Sequence, residues 1–245
     1  MSKKIDNRHN YFIAIDTETC GSLAKPLVYD LGVRVIDSKG RVYESFSWVL
    51  YEIYVGMKET MKTAYYADKL PQYEKGLRNG REWKMVRTMT AFKIVRQLME
   101  DYSTNKVIAY NTAFDRRALD TTMRAVTKYR FFFPADTEYL DIWNMACSTL
   151  FQRKDFFEMA DEMGWESDCG NVRTNAEVGY SYLSGKNDFE ERHTALEDVK
   201  IETEIFVACL KARVKAEDMG IVANPWRKPQ PAWKSYKVKV VKREE

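Results

Sequence analysis

The chain has 245 residues, of which 45% are hydrophobic and 31% charged, as is typical of a soluble globular protein with one full-sized core. A formal net charge of +3 says little about partners. The unbroken apolar runs, such as 131–133, are far too short to span a bilayer. The lysines near the N-terminus are followed by no apolar segment, so we expect no signal peptide.

The first third of the chain predicts antiparallel strands. Residues 11–16 form a short, apolar, β-prone run that is typical of a buried central strand. Residues 28–36 and 41–50 are two further β-prone runs, and the segment 37–40 between them is typical of a hairpin turn. We therefore expect three strands that pair antiparallel in chain order.

Helices and short strands alternate in the rest of the chain. Residues 51–82 predict a partly helical insertion. Apolar residues then recur at helical spacing in 83–102, 113–128, 151–163, 174–183 and 194–215, whereas 106–110 and 138–143 are short β-prone runs. This pattern predicts an α/β fold, in which a mixed sheet of about five strands is flanked by helices.

Two acidic residues, Asp16 and Glu18, come at the end of the first predicted strand. Residues two apart on a strand point to the same face, so both carboxylates project together. Neighbouring like charges in a buried site repel unless cations neutralise them, and oxygen ligands suit Mg²⁺ or Mn²⁺. Alone, the pair is weak evidence, because a strand that simply ends in solvent would show the same pattern.

A second acidic motif spans residues 111–115, where a short strand is followed by a helix. Asp115 would lie in the first turn of this helix, where the helix dipole stabilises a negative charge. Such an aspartate is often purely structural, so this motif is also weak alone.

The third motif is His193, followed five residues later by Asp198. Residues five apart on a helix do not share a face. However, Thr194 and Glu197 form a capping-box pattern that predicts a helix start at Thr194. His193 would then precede the helix and be free to turn toward Asp198. Without the other motifs, a surface histidine beside a helix cap would explain it equally well.

Together and in this order, the three motifs resemble the DEDDh branch of the DnaQ-like exonucleases, a family with a ribonuclease H-like fold. Residues 12–19 resemble its first motif, 109–115 its second and 193–198 its third, and the resemblance covers about 11–210. Cys20 and Tyr110 depart from the residues common in the family, but neither would be a metal ligand.

The resemblance implies hydrolysis of phosphodiesters from the 3′ end of DNA, with release of nucleoside 5′-monophosphates. It implies two divalent cations, Mg²⁺ or Mn²⁺, held by Asp16, Glu18, Asp115 and Asp198. Asp16 would bridge the two ions, and His193 would be the general base that activates the attacking water. Thr19, Asn111 and Phe114 would lie near the terminal nucleotide.

Several alternatives stay open. The natural substrate could be RNA or short oligoribonucleotides, because the 2′-hydroxyl is read by local contacts that the motifs do not reveal. A non-catalytic nucleic-acid-binding subunit is disfavoured, since all five chemical residues are present. A metabolic α/β enzyme is disfavoured because no glycine-rich dinucleotide or phosphate loop occurs.

The expected partners are single-stranded 3′ ends, with a DNA polymerase or other replication protein as a candidate in proofreading or repair. We expect no membrane partner. The four cysteines, Cys20, Cys147, Cys169 and Cys209, form no Cys-x-x-Cys pair, which fits a reducing cytoplasmic location.

The C-terminal residues differ from the rest in composition. We expect an exonuclease domain of residues 1–224 and a tail of residues 225–245, whose three prolines predict an extended structure. Seven lysines and arginines against two glutamates give residues 226–245 a net charge of +5 and leave −2 on the remainder. The tail's Trp226, Trp233 and Tyr236 could guide a single strand by stacking, or they could equally pack against the body of the protein.

Overall fold

A computed structural model describes residues 10–80, 82–186 and 189–244. The N-terminus, for which the sequence predicts no signal peptide, lies outside the described residues. Six strands form one mixed sheet: β1 (Tyr11–Ser22), β2 (Lys25–Asp37), β3 (Val42–Leu50), β4 (Lys84–Val86), β5 (Lys106–Ala109) and β6 (Glu138–Asp141). Their spatial order is β4-β3-β2-β1-β5-β6.

The strands pair antiparallel in the middle of the sheet and parallel toward both edges. Strands β1, β2 and β3 pair antiparallel, as predicted. Strand β5 adds parallel to β1, β6 adds parallel to β5, and β4 adds parallel to β3 at the other edge. The mixed α/β sheet predicted from the sequence is thus confirmed. Strand β4, only three residues long, was too short to be recognised from hydrophobic periodicity.

Ten α-helices lie among the described residues: α1 (Tyr51–Tyr54), α2 (Lys58–Met61), α3 (Leu70–Asn79), α4 (Thr88–Asp101), α5 (Thr112–Val126), α6 (Ile142–Ser148), α7 (Lys154–Glu162), α8 (Ala176–Ser184), α9 (Ala195–Lys211) and α10 (Gln230–Glu244). Short 3₁₀ segments occur at Ala67–Lys69, Leu150–Gln152, Ala216–Asp218 and Pro225–Arg227. Among the described residues, no helix is both long and apolar enough to cross a membrane.

Strand β1 is apolar along its first half because both of its faces are covered. Successive side chains of a strand point to opposite faces. Ile13 and Ile15 pack in a core cluster with residues of α4 and α5, whereas Phe12 and Ala14 pack in a second cluster with residues of α6 and α9. Two helical layers therefore enclose the central strand, and Asp16 and Glu18 follow where this apolar run ends.

Helices α1, α2 and α3 form the predicted insertion, which is partly helical as expected. Its buried side chains, including Ile53 and Tyr73, pack with Tyr29 of β2 in a third cluster. The insertion therefore lies against the end of the sheet at which β1 carries its acidic residues.

The tail differs from its prediction, because residues 230–244 form a helix rather than an extended segment. Pro231 is the second residue of α10, where proline removes no helical hydrogen bond. Trp233 is completely buried, and its ring lies 5.8 Å from that of Phe157 in α7. Tertiary packing of this tryptophan stabilises a helix that local sequence did not indicate.

We expect Trp233→Ala to destabilise the protein by about 3–5 kcal/mol, because it leaves a large cavity between α7 and α10. Urea unfolding followed by circular dichroism measures the change. Val238→Ala is the matched control, since Val238 lies on the same helix and is 56% exposed. Equal stability of the two variants would mean that α10 is not docked on the body in solution.

Candidate active site

Asp16 and Glu18 lie side by side at the end of the apolar part of β1, as their spacing predicts. Together with Asp198 of α9 they form a compact group: one carboxylate oxygen from each residue lies within 4.8 Å of the others. Glu18 and Asp198 are buried, and Asp16 is half-buried. The structure therefore brings together the first and third motifs, which are about 180 residues apart in the chain.

Two residues of β2 bring the start of α9 against the sheet. Gly32 pairs with Asp16, and a Cβ atom on Gly32 would lie 2.4 Å from the carbonyl carbon of Ala195. Only glycine permits this approach. Asp30 is fully buried, and its Oδ2 accepts hydrogen bonds from the Ala195 amide at 3.0 Å and the Tyr73 hydroxyl at 2.8 Å.

The N-terminus of α9 begins after Thr194, as the capping-box pattern predicts, but the Thr194 side chain makes no capping hydrogen bond. Asp30, on the distant strand β2, accepts the capping hydrogen bond instead. A carboxylate at a helix N-terminus satisfies a free amide and interacts favourably with the helix dipole. Because Asp30 also accepts from Tyr73 of α3, one carboxylate ties the insertion and the third motif to the sheet.

Asp115 reaches the same place through a tight turn after β5. Asn111 has a φ of 67°, a left-handed conformation that asparagine tolerates better than most residues. Helix α5 begins directly after it, so Asp115 lies in the first turn. Its Oδ1 accepts a hydrogen bond of 2.8 Å from Thr17 Oγ1 on β1, which fixes the second motif against the first.

Sequence reasoning missed Glu202, a further carboxylate of this site. It lies one turn after Asp198 on α9, is buried, and lines the same cavity. Its Oε2 accepts a hydrogen bond of 3.2 Å from the Tyr110 amide at the end of β5. The sequence did contain a signal for Glu202. Residues four apart share a helix face, so Glu202 lies on the same face as Asp198, where an acid interrupts the buried apolar stripe of α9.

Crowding of acids in a buried place disfavours their ionised forms. Burial raises the pKa of Asp16 well above its ordinary value, and the charges of Glu202 and Asp115 raise it further. Burial and the charge of Asp198 act in the same direction on the pKa of Glu18. Burial also raises the pKa of Asp115, although the hydrogen bond from Thr17 opposes the shift. Protein atoms alone therefore compensate the negative charge of these carboxylates poorly.

The residues present fit a divalent cation. The donor set consists of carboxylate oxygens, which hard cations such as Mg²⁺ and Mn²⁺ prefer. The Oδ1 atom of Asp198 is buried and has no hydrogen-bond partner among the described residues. A buried acceptor without a partner is costly, and coordination of a cation would satisfy it while relieving the mutual repulsion of the acids.

His193 lies beside this group and has a partner from the insertion. Its φ of 52° is left-handed, and its ring stacks on Tyr66 with centroids 3.9 Å apart and planes 10° from parallel. Its Nδ1 lies 3.7 Å from Oε2 of Glu191, which is beyond hydrogen-bond distance. Burial lowers the pKa of the imidazole, so the neutral form that can accept a proton is favoured.

A cavity of about 820 Å³ contains these residues. Its lining includes all five predicted catalytic residues, Asp16, Glu18, Asp115, His193 and Asp198, and two of the predicted substrate contacts, Asn111 and Phe114. Thr19 is not part of the lining; its carbonyl accepts a hydrogen bond from the amide of Tyr65. Other lining residues, which include Trp143, Arg173 and Trp226, come from parts of the chain that the motifs did not indicate.

Comparison with known proteins gives a match in structure only. No protein-family model and no curated protein sequence matches the chain. Among solved structures, it is similar to Escherichia coli exonuclease I in complex with a dA16 oligonucleotide, with a TM-score of 0.53 and 18% identity over 85% of this chain and 42% of that one. The same enzyme with a 5cy-dT13 oligonucleotide gives a TM-score of 0.54 and 16% identity over 84% and 41%, respectively.

A third structure, exonuclease I with a dT13 oligonucleotide, gives a TM-score of 0.52 and 16% identity over 83% of this chain and 42% of that one. The chain thus spans less than half the length of the exonuclease it resembles. At this level of identity the likeness concerns the fold, and the mixed six-stranded sheet flanked by helices is a ribonuclease H-like fold, as predicted.

Proposed function

We propose that this chain is a metal-dependent 3′→5′ exonuclease acting on single-stranded DNA ends, and that residues 1–224 form its exonuclease domain. One observation carries the proposal: three motifs that are far apart in sequence line one cavity, with three of their carboxylates within 4.8 Å of one another. The exonuclease I structures that share the fold contain DNA oligonucleotides, which favours single-stranded DNA over RNA as the substrate.

Asp16, Glu18, Asp115 and Asp198 would hold two divalent cations, Mg²⁺ or Mn²⁺. When bound, such ions neutralise the phosphodiester charge and stabilise both the attacking and the leaving oxygen. Glu202, hydrogen-bonded to the backbone at the end of β5, would hold the turn that presents Asn111 and Asp115. Asn111 and Phe114 would contact the terminal nucleotide; Thr19, away from the cavity lining, has less to support this role.

His193 would accept a proton from the attacking water. Because Nδ1 faces Glu191, Nε2 is the nitrogen left for this step. The parallel ring of Tyr66 limits rotation of the imidazole, so the base is already oriented before substrate binds. A polymerase or other replication protein as a partner stays a prediction.

The test uses single-stranded DNA labelled at its 5′ or 3′ end, with matched RNA and duplex DNA, in Mg²⁺ or Mn²⁺. We expect the 5′-labelled strand to shorten one nucleotide at a time, while the 3′-labelled strand releases its label at once as a nucleoside 5′-monophosphate. Internal cuts, loss of the 5′ label first, or a preference for RNA would each contradict a named part of the proposal.

We expect Mg²⁺ or Mn²⁺ to raise the melting temperature, because an ion that binds only the folded carboxylate cluster stabilises it by mass action, about 2.7 kcal/mol at 100 times its Kd. Differential scanning fluorimetry with increasing metal measures the shift. Excess EDTA should abolish both the shift and the nuclease activity. Full activity in excess chelator would exclude the metal-dependent mechanism.

A further inference from the structure

The lining of the cavity includes an aromatic residue from the C-terminal segment. Trp226 lies in the 3₁₀ segment Pro225–Arg227, is half-buried, and lines the cavity together with residues of the 171–175 loop. Trp226 belongs to none of the three motifs. A tryptophan that faces a polar, acid-lined cavity leaves apolar area open to solvent, and this area is available to a ligand with an apolar face.

Gln230 of α10 holds this tryptophan in place. The Gln230 side chain is buried, its Oε1 accepts from the Val172 amide at 2.9 Å, and its Nε2 donates to the Val172 carbonyl at 3.1 Å. The same Nε2 donates to the Trp226 carbonyl at 2.8 Å. One amide group thus joins the C-terminal segment to the loop that lines the same cavity. Because a buried amide with such partners is costly to release, the position of Trp226 is pre-organised.

A second anchor, Lys228, holds the same segment. Nζ of Lys228 donates hydrogen bonds of 2.7 Å to both Ser148 Oγ and Asp218 Oδ1. Lys228 and Gln230 lie two and four residues after Trp226, so both anchors are close to it in the sequence. The ring therefore belongs to a rigid wall and not to a loose tail, so little conformational entropy would be lost when a ligand packs on it.

Positive charge accompanies the ring. The guanidinium of Arg227 lies over Trp226, 5.3 Å from the ring centroid, and Arg173 lines the same cavity. Aromatic faces combined with cations are the usual means of binding single-stranded nucleic acid: bases stack on the rings, and the cations contact phosphates. The carboxylates of the same cavity repel anions until cations bind, so phosphate contacts near Trp226 depend on these arginines.

We propose that Trp226 is a stacking platform for a nucleobase of the single strand whose scissile phosphate lies at the carboxylate cluster. This inference rests on the proposed exonuclease function, and it assigns the C-terminal segment a direct part in substrate binding. Stacking does not distinguish bases, because every base has an aromatic face. The platform therefore binds any sequence but requires that a base be present.

Oligonucleotides that each lack one base test the platform. Trp226→Ala and Trp226→Phe are compared with the unchanged protein on single-stranded DNA with an abasic residue at successive positions from the 3′ end. On intact DNA, alanine should lower kcat/KM by roughly 5- to 150-fold, and phenylalanine should restore most of the loss. One substrate lacks the base that would stack on Trp226. On this substrate, the alanine variant and the unchanged protein should have the same kcat/KM.

Binding of a phosphorothioate strand, measured by fluorescence anisotropy, repeats the comparison without hydrolysis. Val238→Ala, at an exposed position of α10, is the control variant and should match the unchanged protein. The same loss on every substrate, abasic ones included, would reduce Trp226 to a structural role, and no loss at all would exclude the platform. Position-dependent binding without any release of nucleotides would contradict the exonuclease function and retain the platform.

Discussion

Asp16→Asn should reduce nuclease turnover by at least about 10³-fold, because the substitution removes a ligand charge from the site that would hold the cations. A bound cation supplies several kcal/mol of transition-state stabilisation, and each 1.36 kcal/mol corresponds to a tenfold change in rate. Asparagine has nearly the same shape as aspartate, so packing at the end of β1 should be preserved. Initial rates at saturating Mg²⁺ or Mn²⁺ measure the effect.

Stability separates loss of metal from loss of fold. Without metal, Asp16→Asn should melt at the same temperature as the unchanged protein or higher, because Glu18, Asp115, Asp198 and Glu202 then have one charge fewer to repel. With Mn²⁺, the unchanged protein should gain more than the variant. Asp136→Asn, at an exposed position outside the cavity, is the matched control and should change neither quantity. An Asp16→Asn protein with normal turnover would exclude a metal site at β1.

The local part of the site could be predicted from the sequence. Asp16 and Glu18 share a face because side chains alternate along a strand, and this holds wherever the strand lies. Asp115 was expected in the first turn of a helix and is found there. The start of α9 after Thr194 was also recognisable, although its capping hydrogen bond was assigned to the wrong residue.

What the sequence could not provide are contacts between distant segments. Asp30 lies within a run of apolar residues of β2, and only the approach of α9 makes it a helix cap. Nothing in the sequence around Gly32 indicates that the backbone of Ala195 lies against it. Helix α10 has little amphipathic pattern, and it forms because Trp233 is buried by α7. Such features depend on tertiary packing, which overrides local propensity.

His193→Gly should lower kcat by about 10²–10⁴-fold, the usual contribution of a positioned general base. Glycine is preferred to alanine for this test because residue 193 has a φ of 52°, which glycine adopts without strain. The turn before α9 should therefore keep its shape, and Asp198 its place in the cluster. Metal-induced stabilisation should be preserved, in contrast to Asp16→Asn.

The pH profile gives an independent measurement of the same step. A protonated imidazole cannot accept a proton, so the rate of the unchanged protein should fall as the pH drops through the pKa of His193. Burial lowers this pKa below its ordinary value of 6.5, and Lys69 lowers it further, whereas Glu177 and Asp68 oppose the shift. With metal kept saturating at every pH, the acid limb should therefore lie below pH 6.5 and be absent in His193→Gly.

Free imidazole offers a last check, because glycine leaves space beside a ring that stays in place. Tyr66 stacks on His193 with planes 10° from parallel, so added imidazole can occupy the same position and restore part of the lost turnover. Combining His193→Gly with Tyr66→Leu should remove this rescue, since the surface that orients the ring is gone. Tyr65→Leu in the same background is the control, because Tyr65 is 75% exposed and is not part of the cavity lining. Normal turnover of His193→Gly from acid to alkaline pH would mean that another group activates the water.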